Sequence, residues 1–258
     1  MDQKPWSFFN MLIATSLFVV HSSASSKEEA YLYEKIGNDY SNFVNEDRLI
    51  RMGVGFLAIG GIANSDLDED FQNTYQDDIR GKTTDDHAEI AKLFGEGKYL
   101  MPAALLASGL SYFDPDSVVG EWGENTARAY IVGLPAMIAM QNVTGGSRPS
   151  DLAGSKWRPF NDENGVSGHS FVGAVPFLTI AHMTDNNFIK YASFVASGLT
   201  AWSRTNDHQH YFSQSLFGWY MAYESVGAVF DTNKTKSNMA IVPIINDDFY
   251  GVMVSGSW

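Results

Sequence analysis

Apolar stretches of helix length recur along the chain and alternate with short polar segments, and this alternation constrains the fold more than any other feature. The stretches cover roughly residues 52–63, 87–94, 100–112, 126–143, 170–182, 188–202 and 211–230. Most are longer than ordinary strands, and such runs are typical of helices buried in a core. With 45% hydrophobic residues among 258, the chain can fill such a core. The pattern predicts an all-α fold, a helical bundle that covers residues 25–236.

The end of the chain has a different pattern. Two short apolar segments, Met239–Ile245 and Phe249–Val254, flank an Asn-Asp-Asp sequence. Short apolar runs on either side of turn-forming residues are typical of a β-hairpin, and Pro243 suits an edge strand. We therefore expect residues 237–258 to form a hairpin packed on or beside the helices.

The first 24 residues have the pattern of an export signal. Lys4 precedes the apolar run Phe8–Val20, and the small residues Ser22 and Ala24 fit a cleavage site. An uncleaved membrane anchor is the less favoured alternative, because the run is shorter than the ~20 residues that a span needs. We expect a signal peptide and an exported protein, periplasmic or secreted, whose association with a membrane surface stays open. The chain contains no cysteine, which excludes disulfides.

The net charge of −13 restricts the kinds of partner. A strongly acidic chain repels polyanions, so no nucleic acid is expected to bind. A small anionic substrate is compatible with this charge if the few cations are concentrated at one site.

Residues 64–86 are rich in aspartate and are expected to form a solvated acidic loop. Within them, Asp66, Asp68 and Asp70 match the first ligand positions of a calcium loop. Phe71 stands where that loop needs glycine for its sharp turn. The sequence therefore predicts no metal site here.

Three polar segments interrupt the helical pattern at helix ends, and each carries a cation or a titratable group. The segments are QNVTGGSRP (Gln141–Pro149), GVSGHS (Gly165–Ser170) and SRTNDHQHYFSQ (Ser203–Gln214). Taken singly, each is common by chance. Only their order and internal spacing together are specific.

In that order, the segments resemble the signature of the type 2 phosphatidic acid phosphatase (PAP2) superfamily, which includes bacterial non-specific acid phosphatases and vanadium haloperoxidases. That signature is Lys-x6-Arg-Pro, then Pro-Ser-Gly-His, then Ser-Arg-x5-His-x3-Asp. The corresponding residues here are Gln141-x6-Arg148-Pro149, Val166-Ser167-Gly168-His169 and Ser203-Arg204-x5-His210-x3-Gln214. The resemblance implies the helical bundle of that superfamily.

The resemblance also implies a metal-independent phosphatase without a cofactor, for which vanadate would be an inhibitor or a phosphate mimic. His210 would be the nucleophile that becomes phosphohistidine, and His169 the general acid that protonates the leaving group. Arg148 and Arg204 would hold the phosphoryl oxygens, as paired guanidinium groups can. The substrate would be a phosphorylated small molecule or a lipid phosphate. His208, outside the signature, is expected to be a loop residue.

Ser167 and Gly168 lie just before the helix expected from Ser170. Backbone N–H groups at a helix N-terminus, with the positive end of the helix dipole, favour a bound anion. A glycine allows close approach of the backbone. Both residues are therefore expected to bind the phosphate.

Three residues depart from the signature, because Gln141 replaces lysine, Gln214 replaces aspartate and Val166 replaces proline. Gln141 can give a phosphate only a neutral hydrogen bond, and Lys156 is a candidate to supply the missing charge. Gln214 stands four residues after His210, on the same helix face. Its side-chain oxygen can hold the histidine tautomer without a negative charge, which predicts a slower nucleophile rather than a misplaced one.

A second Arg-Pro pair, Arg158-Pro159, offers another alignment of the first segment. It places Asp151 at the lysine position, which is the wrong charge beside a phosphate. Arg148 is therefore preferred, and Arg158 is expected at the rim of the site.

Two other functions stay open on the sequence. The changes at Gln141 and Gln214 favour a degenerate protein that binds phosphate or lipid phosphate without catalysis. A vanadium haloperoxidase would bind vanadate through His210, but the missing lysine, which helps to polarise a bound peroxide, argues against it. The sequence fixes neither the physiological substrate nor the oligomeric state.

Overall fold

A computed structural model describes the backbone of residues 26–246 and 249–256 and the side-chain environments of residues 32–234. Within these residues, the helices are α1 (Ser26–Phe43), α2 (Glu46–Ala63), α3 (Leu67–Thr74), α4 (Lys82–Leu93), α5 (Gly97–Ser108), α6 (Leu110–Phe113), α7 (Val118–Thr144), α8 (Gly168–Met183), α9 (Asn187–Ser197), α10 (Leu199–Asn206) and α11 (Phe212–Asn238). A π-helical turn at Tyr75–Ile79 follows α3, and a 3-10 turn at Pro149–Asp151 follows α7. The predicted helical class is confirmed.

Residues 64–86 are largely helical, so the prediction of an acidic loop there is wrong. The first turn of α3 carries Asp68, Glu69 and Asp70. Negative side chains near a helix N-terminus interact favourably with the helix dipole, so an acidic cluster can begin a helix as well as solvate a loop. The apparent calcium-loop pattern is the start of this helix.

The stretch predicted as one helix over residues 188–202 is two helices. α9 ends at Ser197, Gly198 separates the two, and α10 begins at Leu199. The short α10 is therefore an element of its own, and it carries Arg204 in its last turn.

The main core lies where α7, α8 and α11 pack together. Phe171, Val175 and Leu178 of α8 are at most 1% exposed, and Val226 and Val229 of α11 are fully buried in the same cluster. A helix that is apolar around its whole circumference must be enclosed by its neighbours. α8 is therefore the central element, and the other helices are positioned against it.

Two buried ion pairs join helices that are distant in sequence. Arg128 of α7 donates to both carboxylate oxygens of Asp39 in α1, at 2.6 and 2.8 Å. Arg48 of α2 contacts Glu224 of α11 at 2.6 Å. All four side chains are 3% exposed or less, so each charge depends on its partner to offset lost hydration.

Residues Asn38–Trp258 form one compact unit, and the boundary that precedes it falls inside α1. The predicted signal peptide at residues 1–24 lies outside the described residues. Within the described part of the chain, no helix combines the length and the apolarity that crossing a bilayer requires.

Beyond α11 the backbone forms two antiparallel strands, β1 (Met239–Asn246) and β2 (Phe249–Gly256), with Pro243 opposite Val252. α11 continues to Asn238, two residues past the predicted limit of the helical domain. The side chains of this tail lie outside the described set, so its packing beside the helices stays a prediction.

Arg128→Met is expected to lower the free energy of unfolding by about 3–5 kcal/mol, because Asp39 would stay buried without a counter-charge. Lys82→Met is the matched control, since Lys82 is 87% exposed in its pair with Asp86. Exposed pairs of this kind contribute about 0.5 kcal/mol or less. Urea unfolding of both variants measures the difference, and equal stability of the two would contradict a structural role for the buried pair.

Candidate active site

The turn between α10 and α11 folds back onto its own start. The backbone N–H groups of Gln209 and His210 both donate to the carbonyl oxygen of Arg204, at 3.0 and 3.2 Å. His208 lies within the turn with a positive φ of 57°. Arg204 and His210 are thus held close together at the junction of the two helices, with His210 only 5% exposed.

Gln214 connects this turn to the two other polar segments. Its Oε1 accepts from Nδ1 of the His210 ring at 3.1 Å and from the backbone N–H of Tyr211 at 3.2 Å. Its Nε2 donates to the carbonyl oxygen of Ser147 at 2.8 Å. Its backbone carbonyl accepts from the N–H of Ser167 at 2.9 Å. One fully buried residue therefore joins all three segments.

These contacts fix the tautomer of the His210 ring. Gln214 Nε2 faces a carbonyl oxygen and Oε1 faces a backbone N–H, so both ends determine the orientation of the amide. Nδ1 of His210 must then carry the proton that Oε1 accepts. In the neutral ring, Nε2 is left with a lone pair.

Gln141 holds the second segment from another side. Its Nε2 donates to the carbonyl oxygen of Val166 at 2.9 Å. The backbone N–H of Asn164, the residue before the second segment, donates to the carbonyl oxygen of Gly146, also at 2.9 Å, and adds a link between the first two segments. The amide at the position where the signature has lysine therefore contacts the protein backbone.

The two candidate arginines of the first segment have different surroundings. Exposed Arg148 donates from Nε to Asn164 Oδ1 at 2.9 Å and from Nη1 to Gln209 Oε1 at 3.4 Å. It is thus held between the residue that precedes the second segment and the third segment. Arg158 donates to the Ser147 hydroxyl at 2.7 Å and closes the loop that follows α7. Arg158 is a loop-stabilising residue, and Arg148 faces the site.

Arg204 has a buried Nε without a hydrogen-bond partner among the described residues. Buried donors in folded proteins are nearly always paired, so an unpaired one requires an explanation. Burial lowers the pKa of Arg204, Asp207 opposes this effect, and the positive charge of Arg148 adds to it. This point of the site therefore has positive charge and a donor that the described residues do not satisfy.

The N-terminus of α8 forms another side of the site. Ser167 caps the helix by accepting from the backbone N–H of Ser170 at 3.3 Å. The N–H groups of Gly168 and His169 come first in the helix, where no intrahelical acceptor exists for them. A Cβ at Gly168 would lie 3.6 Å from Gln141 Nε2, an ordinary contact distance. Packing within the protein therefore does not demand glycine at this position.

Electrostatic interactions connect the four cationic or titratable side chains. The pKa of His210 is lowered to about 3, chiefly by burial and next by the charge of Arg204, with smaller effects of Arg148 and His169. Burial also lowers the pKa of His169, and both arginines add to this effect. Arg148, His169, Arg204 and His210 thus form one cluster, in which His210 is a neutral imidazole at ordinary pH.

Two other candidate cations, His208 and Lys156, lie outside this cluster. Nδ1 of His208 accepts from Gln72 Nε2 at 3.1 Å. The ammonium group of Lys156 lies 3.5 Å from Asp66, so the suggestion that Lys156 replaces the signature lysine is wrong. Within the described residues, no group of three or more His, Asp or Glu side chains is placed to hold a metal ion.

Two acidic residues outside the three polar segments, Asp68 and Glu96, also help to build the site. Asp68 is fully buried and accepts from the backbone N–H and the hydroxyl of Ser213, at 3.0 and 2.5 Å, which fixes the start of α11. Glu96 Oε1 lies 4.0 Å from His169 Nε2. The sequence placed Asp68 only in a calcium-loop pattern and Glu96 in no motif, so only the tertiary structure reveals these contacts.

The ends of three helices thus bring two arginines and two histidines together, an arrangement of positive groups and helix N–H donors that is suited to an anion. A family model described as the PAP2 superfamily matches residues 115–237, which contain all three polar segments. This part of the chain, nearly half of its length, is therefore similar to the PAP2 superfamily, whose members are generally phosphatases. No curated protein and no solved structure matches the chain.

Gln214→Met is expected to lower the free energy of unfolding by about 1–3 kcal/mol, because it leaves the His210 ring N–H and the Ser147 carbonyl oxygen buried without partners. Gln141→Met is the matched comparison, since it removes one hydrogen bond from a partly exposed side chain and should cost less than about 1 kcal/mol. Urea unfolding provides the measurement. Similar losses for both variants would contradict the central position of Gln214.

Proposed function

We propose that the protein is a metal-independent phosphatase that hydrolyses a phosphomonoester through a phosphohistidine at His210. The observation that carries the proposal is the clustering of two arginines and two histidines at three helix ends. Phosphoryl transfer needs positive groups beside the phosphoryl oxygens, an in-line nucleophile and a proton for the leaving oxygen. The cluster has a candidate group for each requirement.

The two guanidinium groups and the N-terminus of α8 bind the phosphoryl group in this proposal. Arg204 brings a buried donor, and Arg148 brings a second positive charge from the open side. The first N–H groups of α8, at Gly168 and His169, add donors at the positive end of a helix that Ser167 caps. An anion bound here would provide the acceptor that Arg204 Nε lacks within the protein.

In the first step, the lone pair on His210 Nε2 attacks phosphorus and a P–N bond forms. The bond between phosphorus and the leaving oxygen breaks, and protonated His169 gives its proton to that oxygen, so the product departs as an alcohol. The hydrogen bond from Nδ1 to Gln214 keeps Nε2 unprotonated for the attack. The arginines stabilise the charge on the phosphoryl oxygens.

In the second step, water attacks the phosphohistidine. Neutral His169 accepts a proton from the water as the new P–O bond forms and the P–N bond breaks, and inorganic phosphate leaves. The pKa of His210, lowered to about 3, makes the ring a weaker nucleophile and a better leaving group.

The contacts of Gln214 give a physical reason why glutamine stands here instead of the aspartate of the signature. An aspartate could accept from the His210 ring, but it has no donor for the Ser147 carbonyl oxygen. The amide makes both contacts. Its neutral oxygen stabilises a positive ring less than a carboxylate does, which favours a phosphatase of modest turnover rather than an inactive one.

A lipid-linked phosphate is the narrower candidate substrate, and one feature favours it. An apolar pocket of about 420 Å³ between α9, α10 and α11 has Phe194, Trp202 and Trp219 among its lining residues. Thr205, directly after Arg204, lines the same pocket. Burial of an acyl or isoprenoid chain there would be driven by the hydrophobic effect.

The purified protein is expected to release phosphate from p-nitrophenyl phosphate in the presence of EDTA and to be inhibited by vanadate. His210→Ala is expected to lower kcat by at least about a hundredfold, because the nucleophile is lost. His208→Asn is the matched control, since asparagine tolerates the positive φ of 57° at this position and the ring lies outside the cluster. It is expected to keep its activity.

Wild-type activity no higher than that of His210→Ala under every condition would contradict the proposal. Calorimetric binding of phosphate without turnover would instead indicate a non-catalytic binding protein, and vanadate-dependent halide oxidation would indicate a haloperoxidase. A preference for long-chain over short-chain alkyl phosphates that is lost in Trp219→Ala would support the lipid-linked substrate.

A further inference from the structure

Glu96 stands at the edge of the site, directly before α5. Its Oε1 lies 4.0 Å from Nε2 of His169, and its Oε2 lies 3.3 Å from Nζ of Lys98. Although Glu96 occupies the N-cap position of α5, its side chain makes no capping hydrogen bond to that helix. The carboxylate is therefore directed toward His169 and the side chain of Lys98 rather than toward the first backbone N–H groups of α5.

The turn that carries Glu96 is fitted against the backbone of His169. A Cβ at Gly95 would lie 3.0 Å from the carbonyl oxygen of His169 and 3.2 Å from its Cβ, which is tighter than ordinary contact. Thr200 holds the end of α4 by donating its hydroxyl to the carbonyl oxygen of Ala91 at 3.1 Å. Backbone packing thus sets the position of Glu96 relative to the histidine.

The other charges that act on His169 are mainly positive. Burial lowers the pKa of His169 most, Arg204 follows, and Arg148 and Lys98 add smaller effects in the same direction. The neighbouring His210 ring is neutral at ordinary pH. Glu96 acts in the opposite direction and favours the imidazolium form. A general acid must carry its proton at the start of the reaction, so a negative group here has a direct consequence.

The distance between Glu96 and His169 allows charge attraction without a hydrogen bond. A distance of 4.0 Å is too long for a hydrogen bond, but it is short enough for charge attraction to favour the protonated ring. The carboxylate can therefore stabilise the proton on Nε2 without bonding to it. That proton stays available to another oxygen.

We propose that Glu96 is a positioning residue that favours the protonated form of His169 for proton donation to the leaving group. The inference rests on the proposed phosphatase function and adds a residue outside the three polar segments. Glu96 acts through His169 and does not touch the substrate.

An NMR titration of the His169 ring tests the charge relation without turnover. In Glu96→Gln, His169 is expected to lose its proton at lower pH than in the wild type, because the imidazolium loses its negative neighbour. Lys98→Gln is expected to shift the titration in the opposite direction. Asp86→Asn removes the same charge from an exposed pair with Lys82 and is expected to leave the titration unchanged.

Turnover of two substrates tests the catalytic consequence. The basic leaving oxygen of glycerol 2-phosphate needs a proton, whereas p-nitrophenolate can depart without one. Glu96→Gln is expected to lower kcat/KM for glycerol 2-phosphate by about tenfold above neutral pH and for p-nitrophenyl phosphate by less than about twofold. The alkaline limb of the glycerol 2-phosphate profile should move to lower pH, and Glu96→Asp should restore part of the loss.

An unchanged titration of His169 in Glu96→Gln, or equal losses for the two substrates, would overturn the inference. A shifted titration in a protein whose wild type has no turnover would have a different meaning. It would contradict the phosphatase function, and with it the catalytic part of the inference, while the charge relation between Glu96 and His169 would stand.

Discussion

The hydrogen bonds of one buried amide, Gln214, hold the three polar segments together. The amide accepts from the His210 ring and donates to the Ser147 carbonyl oxygen, while its backbone carbonyl accepts from the Ser167 N–H. A carboxylate could not make the second of these contacts. The same amide therefore assembles the site and sets the tautomer of its central histidine, and its neutral oxygen limits how basic that histidine can be.

Four arginines of the described residues occupy two different settings. Arg48 and Arg128 are buried against carboxylates and join distant helices. Arg204 has a buried Nε without an acceptor among the described residues, and Arg148 faces the same cluster from solvent. In a chain of net charge −13, this local excess of positive charge marks the place where an anion would bind. Glu96 offsets part of that charge beside His169, the proposed general acid.

Much of the fold could be predicted because long apolar runs and polar helix ends are local properties of the sequence. The helical nature of residues 64–86 could not, since an acidic composition is shared by solvated loops and by helix N-termini, and the contact of Asp68 with Ser213 forms only across the fold. Spacing placed the signature residues in order, but it could not show that Gln214 would join them or that Lys156 would pair elsewhere. Glu96 lies in no motif, and only the packing of its turn brings it to the histidine.

The most direct test of the central claim is to determine whether His210 becomes phosphorylated during turnover. Protein mixed with substrate would be quenched in alkali, in which phosphohistidine survives, and its peptides would be examined by mass spectrometry. Acid-labile phosphate on the peptide that contains His210, present in His208→Asn and absent in His210→Ala, is the predicted result. Turnover without a phosphorylated peptide, or with phosphate on a different residue, would contradict it.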